Sequence, residues 1–390
     1  MSLVIAYLTQ GKVRIKMGAD APRTLESPYA TSIHDRSLRS KQRHAWKSEG
    51  DGFLSGQMLW GKGGGPAEGP APVLFTSLSR GSTPGQLVYS LASGSLSALC
   101  EAENLGAEER RLWNDNRSQV QHINVCPRTG NVACSLVHKT GNANIGVMVK
   151  GEPGIGEVTE GDSIDTAPRW VPGESRRIVY QSAGVGRNRE GHFLALGPFS
   201  IHLVDIDSVE METLAEDEHV DFLSPQMSAD GTLYYIRRPH RERVKPWRAL
   251  KDTVLLPFRL LFAFMQFLNF FSMRYSGKKL STPAGTPRRD VDLRQMMIWG
   301  NVIQAEQAAE DEDADLVPAS WQLARRSRDG SEEVLAKGVL AYDLAADGKI
   351  AYSNGNAIFM RYPDGRKEQI LKERFIEQVT LVEAAAIPVV

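Results

Sequence analysis

The chain has 390 residues, of which 42% are hydrophobic and 24% are charged, and these values are ordinary for a globular protein. Its 46 basic and 47 acidic residues leave a formal net charge of -1, which argues against a protein that binds nucleic acid over its whole surface. The three cysteines are an odd number without a CxxC spacing, so we expect buried free thiols rather than a disulfide framework or a zinc site.

The start of the chain has the alternating apolar pattern of strands. Its apolar run from Val4 to Leu8 is shorter than the apolar region of a secretory signal, and it continues directly into the strand pattern of residues 9–17. We therefore expect an unprocessed, cytoplasmic protein.

Two segments among the first 70 residues are unusual in composition but lack a binding motif. Residues 34–47 hold five Lys or Arg residues together with Trp46, a mixture that can contact nucleic acid. Because no nucleic-acid motif accompanies it, we favour a solvated helix or loop on the rim of the fold, or an added phospholipid contact. The glycine-rich residues 60–69 lack the spacing of a phosphate-binding loop, so we expect a flexible loop there.

Short alternating runs bounded by turn residues fill much of the remaining chain and predict many short strands. Four of these runs share a partly apolar lead-in, a turn with glycine and a strand, with the turn glycines at Gly130, Gly173, Gly231 and Gly348. Periods near 40–50 residues with about four strands each are typical of a β-propeller, in which stacked sheets bury one another's faces.

Two of the repeats resemble those of a known family. APRWVPGESRRIVYQS, which starts at Ala167, and SPQMSADGTLYYIRR, which starts at Ser224, are similar to the P-x-W-S-P-D-G-x-x-I/L-x-Y/F repeat of TolB-type, WD-like bacterial β-propellers. The propeller of prolyl oligopeptidases has similar repeats. The resemblance covers most of residues 120–240 and 338–372. It implies an all-β propeller, for which our count of the repeats predicts six blades.

The sequence contains no recognisable catalytic centre. Prolyl oligopeptidases carry an α/β-hydrolase domain with a G-x-S-x-G nucleophile elbow, and we find neither that motif in a strand-to-helix context nor a segment left over for the domain. Residues 216–221 place His219 among carboxylates but without a second His at ligand spacing, which favours a solvated loop. We expect no catalytic residue, metal or cofactor.

One segment, residues 252–275, holds six of the chain's 13 Phe. Residues 254–273 would extend ~30 Å as a helix, enough to cross a bilayer. However, a central Arg259 costs roughly 2.5 to 3.5 kcal/mol on insertion scales, and one crossing would divide the propeller strands between two sides of the membrane. We therefore expect an amphipathic helix over residues 248–275 on the cytoplasmic face, which lies in the plane of the membrane or enters it as a shallow re-entrant segment.

Both flanks of this helix are basic, which favours contact with anionic lipid at ~1 kcal/mol per charge. The residues expected to contact the membrane or a partner are Arg248, Lys251, Phe258, Arg259, Phe262, Phe264, Phe267, Phe270, Phe271, Arg274, Lys278 and Lys279. Burial of the apolar face in a partner, in a second copy or against its own propeller stays open, since an apolar patch of this size marks an interface.

The predicted insertion spans about residues 239–319. Within it, residues 292–315 have the pattern of a second amphipathic helix that ends in an acidic segment, residues 306–315, which we interpret as a solvated tether. A hairpin over residues 320–338 completes the interrupted blade. The strand pattern of residues 375–382 is expected to pair with the first strands and to close a single propeller over residues 1–390.

These features predict a non-enzymatic propeller scaffold for protein–protein interaction. Residues 248–279 would attach it peripherally to the cytoplasmic face of a membrane or to a membrane complex. The expected partners are an anionic membrane surface and an unidentified protein, and nucleic acid is not expected. Two alternatives stay open: a subunit of an obligate complex that buries the helix in its partner, and a propeller hydrolase or metal-dependent enzyme with a site at the funnel mouth.

Overall fold

The computed structural model describes most of the chain outside the predicted insertion. The described residues are 3–49, 71–106, 108–174, 176–190, 193–208, 210–240, 297–298, 301–302 and 316–384. They divide into two units, Met1–His240 with Ile303–Val390, and Arg241–Val302.

Strands make up nearly all of the regular structure of the described residues, with one helix, α1 (Pro28–Glu49), among them. The first thirteen strands are β1 (Leu3–Thr9), β2 (Lys12–Met17), β3 (Arg23–Thr24), β4 (Leu74–Arg80), β5 (Leu87–Ser93), β6 (Leu96–Glu103), β7 (Glu108–Asp115), β8 (Ser118–Val125), β9 (Val132–His138), β10 (Ala143–Met148), β11 (Gly156–Glu157), β12 (Ser163–Trp170) and β13 (Arg177–Arg187). The others are β14 (Phe193–Leu196), β15 (Ser200–Asp205), β16 (Met211–Ala215), β17 (Val220–Met227), β18 (Leu233–Pro239), β19 (Met297–Ile298), β20 (Asn301–Val302), β21 (Gln322–Arg326), β22 (Glu332–Lys337), β23 (Ala341–Leu344), β24 (Ile350–Ser353), β25 (Ala357–Arg361), β26 (Lys367–Lys372) and β27 (Ile376–Glu383). The predicted all-β class is confirmed.

Neighbouring strands pair antiparallel in small sheets. Four sheets have four strands each, in the orders β27-β1-β2-β3, β4-β5-β6-β7, β17-β18-β21-β22 and β23-β24-β25-β26. A nine-stranded sheet holds β8 to β16, and its only parallel pairing among the described strands joins Ala143 of β10 to Ile164 of β12. Because β8–β11 and β12–β16 are continuous there, the predicted number of six blades stays a prediction.

The first and last described strands share one sheet. β1 pairs with β27 from Leu3 opposite Glu383 to Thr9 opposite Ile376. Pairing of this kind removes a free sheet edge that would otherwise offer unpaired backbone groups to another chain. The domain boundaries inferred from the sequence stay a prediction.

Six strands, β4, β8, β12, β17, β23 and β27, each begin a group of antiparallel strands, and we call them the inner strands. Hydrogen bonds from a side chain of one inner strand to a backbone group of another connect these strands. The Gln378 side chain of β27 accepts the N–H of Leu78 on β4 at 3.0 Å, and Gln226 of β17 donates to the carbonyl of Tyr342 on β23 at 3.1 Å. These amides satisfy backbone groups that the sheets leave unpaired.

Glycine turns connect inner strands to the strands that follow them. Gly130, Gly173, Gly231 and Gly348 have φ of 75°, 80°, 83° and 81°, and they lie between β8 and β9, β12 and β13, β17 and β18, and β23 and β24. Because a residue without a Cβ adopts positive φ without steric cost, the four turns predicted at these glycines are confirmed.

A tyrosine recurs on the strand next to the inner strand. These residues are Tyr7, Tyr89, Tyr180, Tyr235 and Tyr352, all of them buried. The hydroxyl of Tyr89 donates to Glu109 on β7, the outermost strand of the same sheet, and burial with a hydrogen bond to Glu332 of β22 raises the pKa of Tyr235 to about 12. Each ring thus fills part of the core, and Tyr89 and Tyr235 show how a buried hydroxyl finds a partner on the outermost strand of its own sheet.

The hairpin predicted over residues 320–338 is confirmed, since β21 pairs with both β18 and β22. The second helix predicted over residues 292–315 is wrong at residues 297–298 and 301–302, where β19 and β20 pair with Met297 opposite Val302. Ile298 and Val302 favour strand, and Gly300 between the strands costs a helix about 1 kcal/mol. The other residues of that predicted helix, and the acidic segment 306–315, lie outside the described residues.

Candidate functional site

The twelve residues predicted to contact a membrane or partner lie within residues 248–279, outside the described part of the chain, and their contacts stay a prediction. Within the described ranges, no helix has the length and apolar character needed to cross a bilayer. The structure does describe where the chain leaves the propeller for this segment and where it returns. We call this region the insertion root.

The insertion root lies at one end of two paired strands. β18 ends at Pro239 and β21 begins at Gln322, and the two strands pair antiparallel with Arg237 opposite Gln322. The chain therefore leaves and rejoins the sheet at the same end of neighbouring strands. The insertion is therefore a long connection between β18 and β21, which are neighbouring strands of one sheet.

A buried ion pair fixes the outgoing side of the root. Arg238 donates through Nε to Oδ2 of Asp221 at 2.9 Å, and the side chains are 3% and 2% exposed. The guanidinium carbon of Arg238 lies 4.5 Å from the centre of the Trp321 ring, which adds a cation–π contact. Asp221 also accepts the backbone N–H of Phe199 at 3.0 Å. The charges thus have partners on three sides, as burial requires.

His240 extends this cluster to the last described residue before the insertion. Its Nδ1 lies 2.8 Å from Oδ1 of Asp221, and its backbone N–H donates to the carbonyl of His219 at 2.9 Å. On the returning side, Leu316 and Val317 are buried. Both ends of the insertion are therefore held by the propeller unit.

Sequence reasoning missed this cluster. It assigned residues 216–221 to a solvated loop, which fits the exposed His219 but is wrong for Asp221, a buried residue of β17. Asp221 and Arg238 are separated by a hairpin, and only the register that places Asp221 opposite Arg238 brings them together. The sequence did contain a signal for this ion pair: each of two consecutive strand patterns holds a charged residue, Asp221 in the first and Arg238 in the second.

A second cluster of polar groups joins inner strands that are not sequence neighbours. Arg169 of β12 lies 3.6 Å from Asp343 of β23, whose side chain is 2% exposed. Asp343 accepts the backbone N–H of Leu381 on β27 at 2.8 Å. Burial, with a smaller effect of the Arg169 charge, lowers the pKa of His122 on β8 to about 4. These bonds join the three inner strands β12, β23 and β27, and the lowered pKa keeps the nearby His122 neutral near pH 7.

Three inner strands share an unusual backbone at their fifth residue. His122, Ala167 and Ser224 have φ of 47°, 52° and 51°, and each lies at a bulge in the pairing with the next strand. A positive φ in a residue other than glycine costs about 1–3 kcal/mol. After the bulge, Asn124 of β8 and Gln226 of β17 bond to backbone groups of β12 and β23, so the repeated geometry turns these side chains toward other inner strands.

A cavity of about 290 Å³ lies between the β4–β7 sheet and β8–β11. Its apolar lining includes Val88, Val125 and Met148. Glu101 in its wall is buried and accepts a hydrogen bond from Arg110 at 2.7 Å, so its charge is already compensated.

The described residues contain no group of three or more His, Cys, Asp or Glu placed to hold a metal ion. Cys100, Cys126 and Cys134 are free and buried, as expected from the sequence. Burial raises the pKa of Cys100 and of Cys134 to about 12, which keeps these thiols protonated.

No protein-family profile and no curated protein matches this chain. Solved structures do match it. TolB from Acinetobacter baumannii has 10% sequence identity and a TM-score of 0.51 over 98% of this chain, which spans 66% of the length of that TolB. A chain of a nidogen/laminin complex has 7% identity and a TM-score of 0.52, with 98% of this chain and 100% of that chain covered. Likeness at such low identity concerns the fold: this chain has a TolB-like β-propeller fold.

Proposed function

We propose that this chain is a propeller scaffold for protein–protein interaction, attached peripherally through residues 248–279 to the cytoplasmic face of a membrane or to a membrane complex. The Phe-rich face would enter the lipid headgroup region, and the basic flanks would lie against anionic lipid. The propeller would present its surface to a protein partner.

The geometry of the insertion root carries this proposal. The chain leaves after His240 and rejoins the same sheet at Gln322, so the strands on both sides of the insertion must stay together. A single membrane span between them would separate paired strands. A helix that touches one face of a membrane and returns is compatible with the root.

The proposed scaffold role draws on the fold. A structural neighbour of this chain comes from a complex of nidogen with laminin, and we take from it only that such a fold can serve in a protein assembly. The proposed cytoplasmic location draws on the free cysteines, Cys100, Cys126 and Cys134, because thiols persist in reducing compartments.

Vesicle flotation tests the attachment. The full chain is mixed with vesicles of phosphatidylcholine and phosphatidylserine and floated through a density gradient. We expect the wild type to float, and we expect added salt to weaken its binding, since screening acts on the basic flanks. A variant with Phe262→Asp and Phe267→Asp should stay at the bottom.

A matched control places the same two charges elsewhere. Leu194 and Val149 are 65% and 40% exposed on the propeller unit, so a Val149→Asp, Leu194→Asp variant gains equal charge without touching residues 248–279. It should float like the wild type. Equal flotation of all three proteins would show that Phe262 and Phe267 do not contact the membrane. Failure of the wild type to float would favour burial of the helix in a protein partner.

A further inference from the structure

Helix α1 has a basic stripe that the attachment through residues 248–279 does not use. The helix carries five Lys or Arg residues against two acidic residues. Four of the basic residues, Arg36, Arg39, Arg43 and Lys47, follow one another at intervals of three, four and four. These intervals place residues on one face of a helix. We call these four residues the α1 stripe.

The structure exposes the described part of this stripe. Arg36 and Arg39 are exposed to solvent, whereas Ile33, one turn earlier, is buried. Neither arginine forms an ion pair with another described residue, Asp35 included. The charges of Arg36 and Arg39 are therefore available to an external partner.

The start of α1 is fixed to the propeller unit. Pro28 at the first helical position and Ser27 before it are typical of a helix start, and the Ser27 hydroxyl accepts the N–H of Ala30 at 3.0 Å. Glu109 of β7 accepts the Ser27 hydroxyl at 2.5 Å and the N–H of Tyr29 at 2.8 Å. A carboxylate at this end stabilises the helix and holds the first turn against the sheet.

The shape and charge of α1 fit a flat anionic surface. A helix of 22 residues extends ~33 Å at 1.5 Å per residue, so basic residues spaced along one face of it match the extent of a flat layer of lipid headgroups. The net charge of the whole chain, -1, disfavours a long nucleic-acid partner, because such proteins are basic over a wide surface. Trp46 within the helix belongs to the residue types that concentrate at membrane interfaces.

We propose that the α1 stripe is a second membrane contact, which binds the headgroups of an anionic bilayer. This inference rests on the proposed attachment to a membrane. It assigns to α1 an electrostatic role, separate from the apolar insertion proposed for residues 248–279. Two separated contacts would bind more tightly than either alone, because the second contact forms within an already bound protein.

The test is flotation of the full chain with the four stripe residues changed to glutamine, which keeps helix propensity and removes charge. The variant carries Arg36→Gln, Arg39→Gln, Arg43→Gln and Lys47→Gln. A control removes four exposed charges outside α1 through Arg117→Gln, Lys139→Gln, Arg189→Gln and Arg366→Gln. Circular dichroism and urea unfolding of both variants should match the wild type.

We expect the stripe variant to partition into phosphatidylserine-containing vesicles at least about tenfold less than the wild type, since each basic residue near an anionic surface contributes about fivefold. The control should bind within about twofold of the wild type, and on pure phosphatidylcholine the stripe variant and the wild type should not differ. Equal binding of stripe variant and wild type to the anionic vesicles would overturn the inference.

The two sets of variants distinguish failure of the α1 stripe proposal from failure of the attachment through residues 248–279. Loss of binding in the stripe variant, with normal binding after Phe262→Asp and Phe267→Asp, supports the stripe and contradicts attachment through residues 248–279. The reverse result contradicts the stripe alone. Fluorescence anisotropy with a single-stranded RNA oligonucleotide tests whether the α1 stripe binds nucleic acid instead of lipid. RNA binding that the stripe variant loses, without any change on anionic vesicles, would overturn the assignment to lipid.

Discussion

Arg238 and Asp221 form a buried ion pair, with 2.9 Å between Nε and Oδ2, at the point where the chain leaves the propeller unit for the insertion. Charges at this depth are expensive to remove from water, and they stay ionised only when their partners remain in place. The pair therefore links the stability of the β17–β18 hairpin to the position at which the insertion begins.

Loss of one member of this pair should be costly. We expect Arg238→Met to lower the free energy of unfolding by about 3–5 kcal/mol, because Asp221 is left as an uncompensated buried charge. Urea unfolding followed by circular dichroism measures the change.

The neighbouring Arg237→Met is a matched control. Its ion pair with Glu332 is about one-third exposed, and removing it should cost about 0–1 kcal/mol. Equal effects of the two substitutions would contradict a special role for the buried pair.

The inner strands should depend on their bridging amides. Gln378 accepts the Leu78 N–H and donates to the Leu78 carbonyl. Gln378→Leu removes the partner of the buried N–H and leaves the carbonyl with the longer bond from the Thr380 hydroxyl, at 3.5 Å. We expect a loss of about 1–3 kcal/mol, the cost of one buried backbone group left without a partner. Thermal and urea unfolding provide the measurement.

A control amide is available at Gln119, which donates to the carbonyl of Gly94 at 3.3 Å at an exposed position. Gln119→Leu should change stability by less than about 1 kcal/mol. If Gln378→Leu behaves in the same way, the amide does not hold β27 to β4.

Stability should depend on pH through Glu377. Burial raises the pKa of this carboxyl from 4.5 to about 7. Between these two values the folded chain keeps a proton that the unfolded chain has released, so this group's contribution to stability falls as the pH rises from about 4.5 to about 7. Unfolding free energies of wild type and Glu377→Gln, compared from pH 4 to pH 8, measure the effect.

We expect the glutamine variant to gain stability relative to the wild type across that window and to hold the gain above pH 7. The difference between the two proteins isolates Glu377 from the other titrating groups. A difference that is constant from pH 4 to pH 8 would show that the carboxyl titrates normally in the folded chain.

The three thiols should be unreactive in the folded protein. Cys100, Cys126 and Cys134 are fully buried, and a thiol that reagents cannot reach is unreactive. We expect Ellman's reagent to detect no thiol before unfolding and three after it. A Ser95→Cys variant, which places a thiol at an exposed position, should react at once, and fast reaction of the wild type would contradict the burial.

The fold could be predicted because its signals are local. A glycine turn such as Gly231 and a tyrosine such as Tyr235 lie a few residues apart, and each sets its turn or fills its core position through its own geometry and size. Repetition of that unit was enough to predict an all-β propeller. The short β19–β20 hairpin was missed because the surrounding apolar pattern fits a helix equally well.

The charged clusters could not be predicted because they depend on register and on contact between distant strands. Asp221 meets Arg238 only when β17 and β18 pair in one register, since a shift of one residue moves every side chain to the other face. Arg169 and Asp343 belong to different sheets, 174 positions apart in the sequence, and no spacing rule connects them. The proposed membrane contact was inferred from the composition of residues 248–279 and from the charge of their flanks.

Photo-crosslinking from position 262 tests the membrane attachment most directly. Phe262 is replaced by benzoylphenylalanine, a residue of similar character, and the full chain is irradiated in its native membrane fraction. We expect the main adduct to be a phospholipid, because the Phe-rich face is proposed to lie among lipid headgroups and acyl chains. An adduct to another protein, to a second copy or to the chain's own propeller would contradict attachment through lipid.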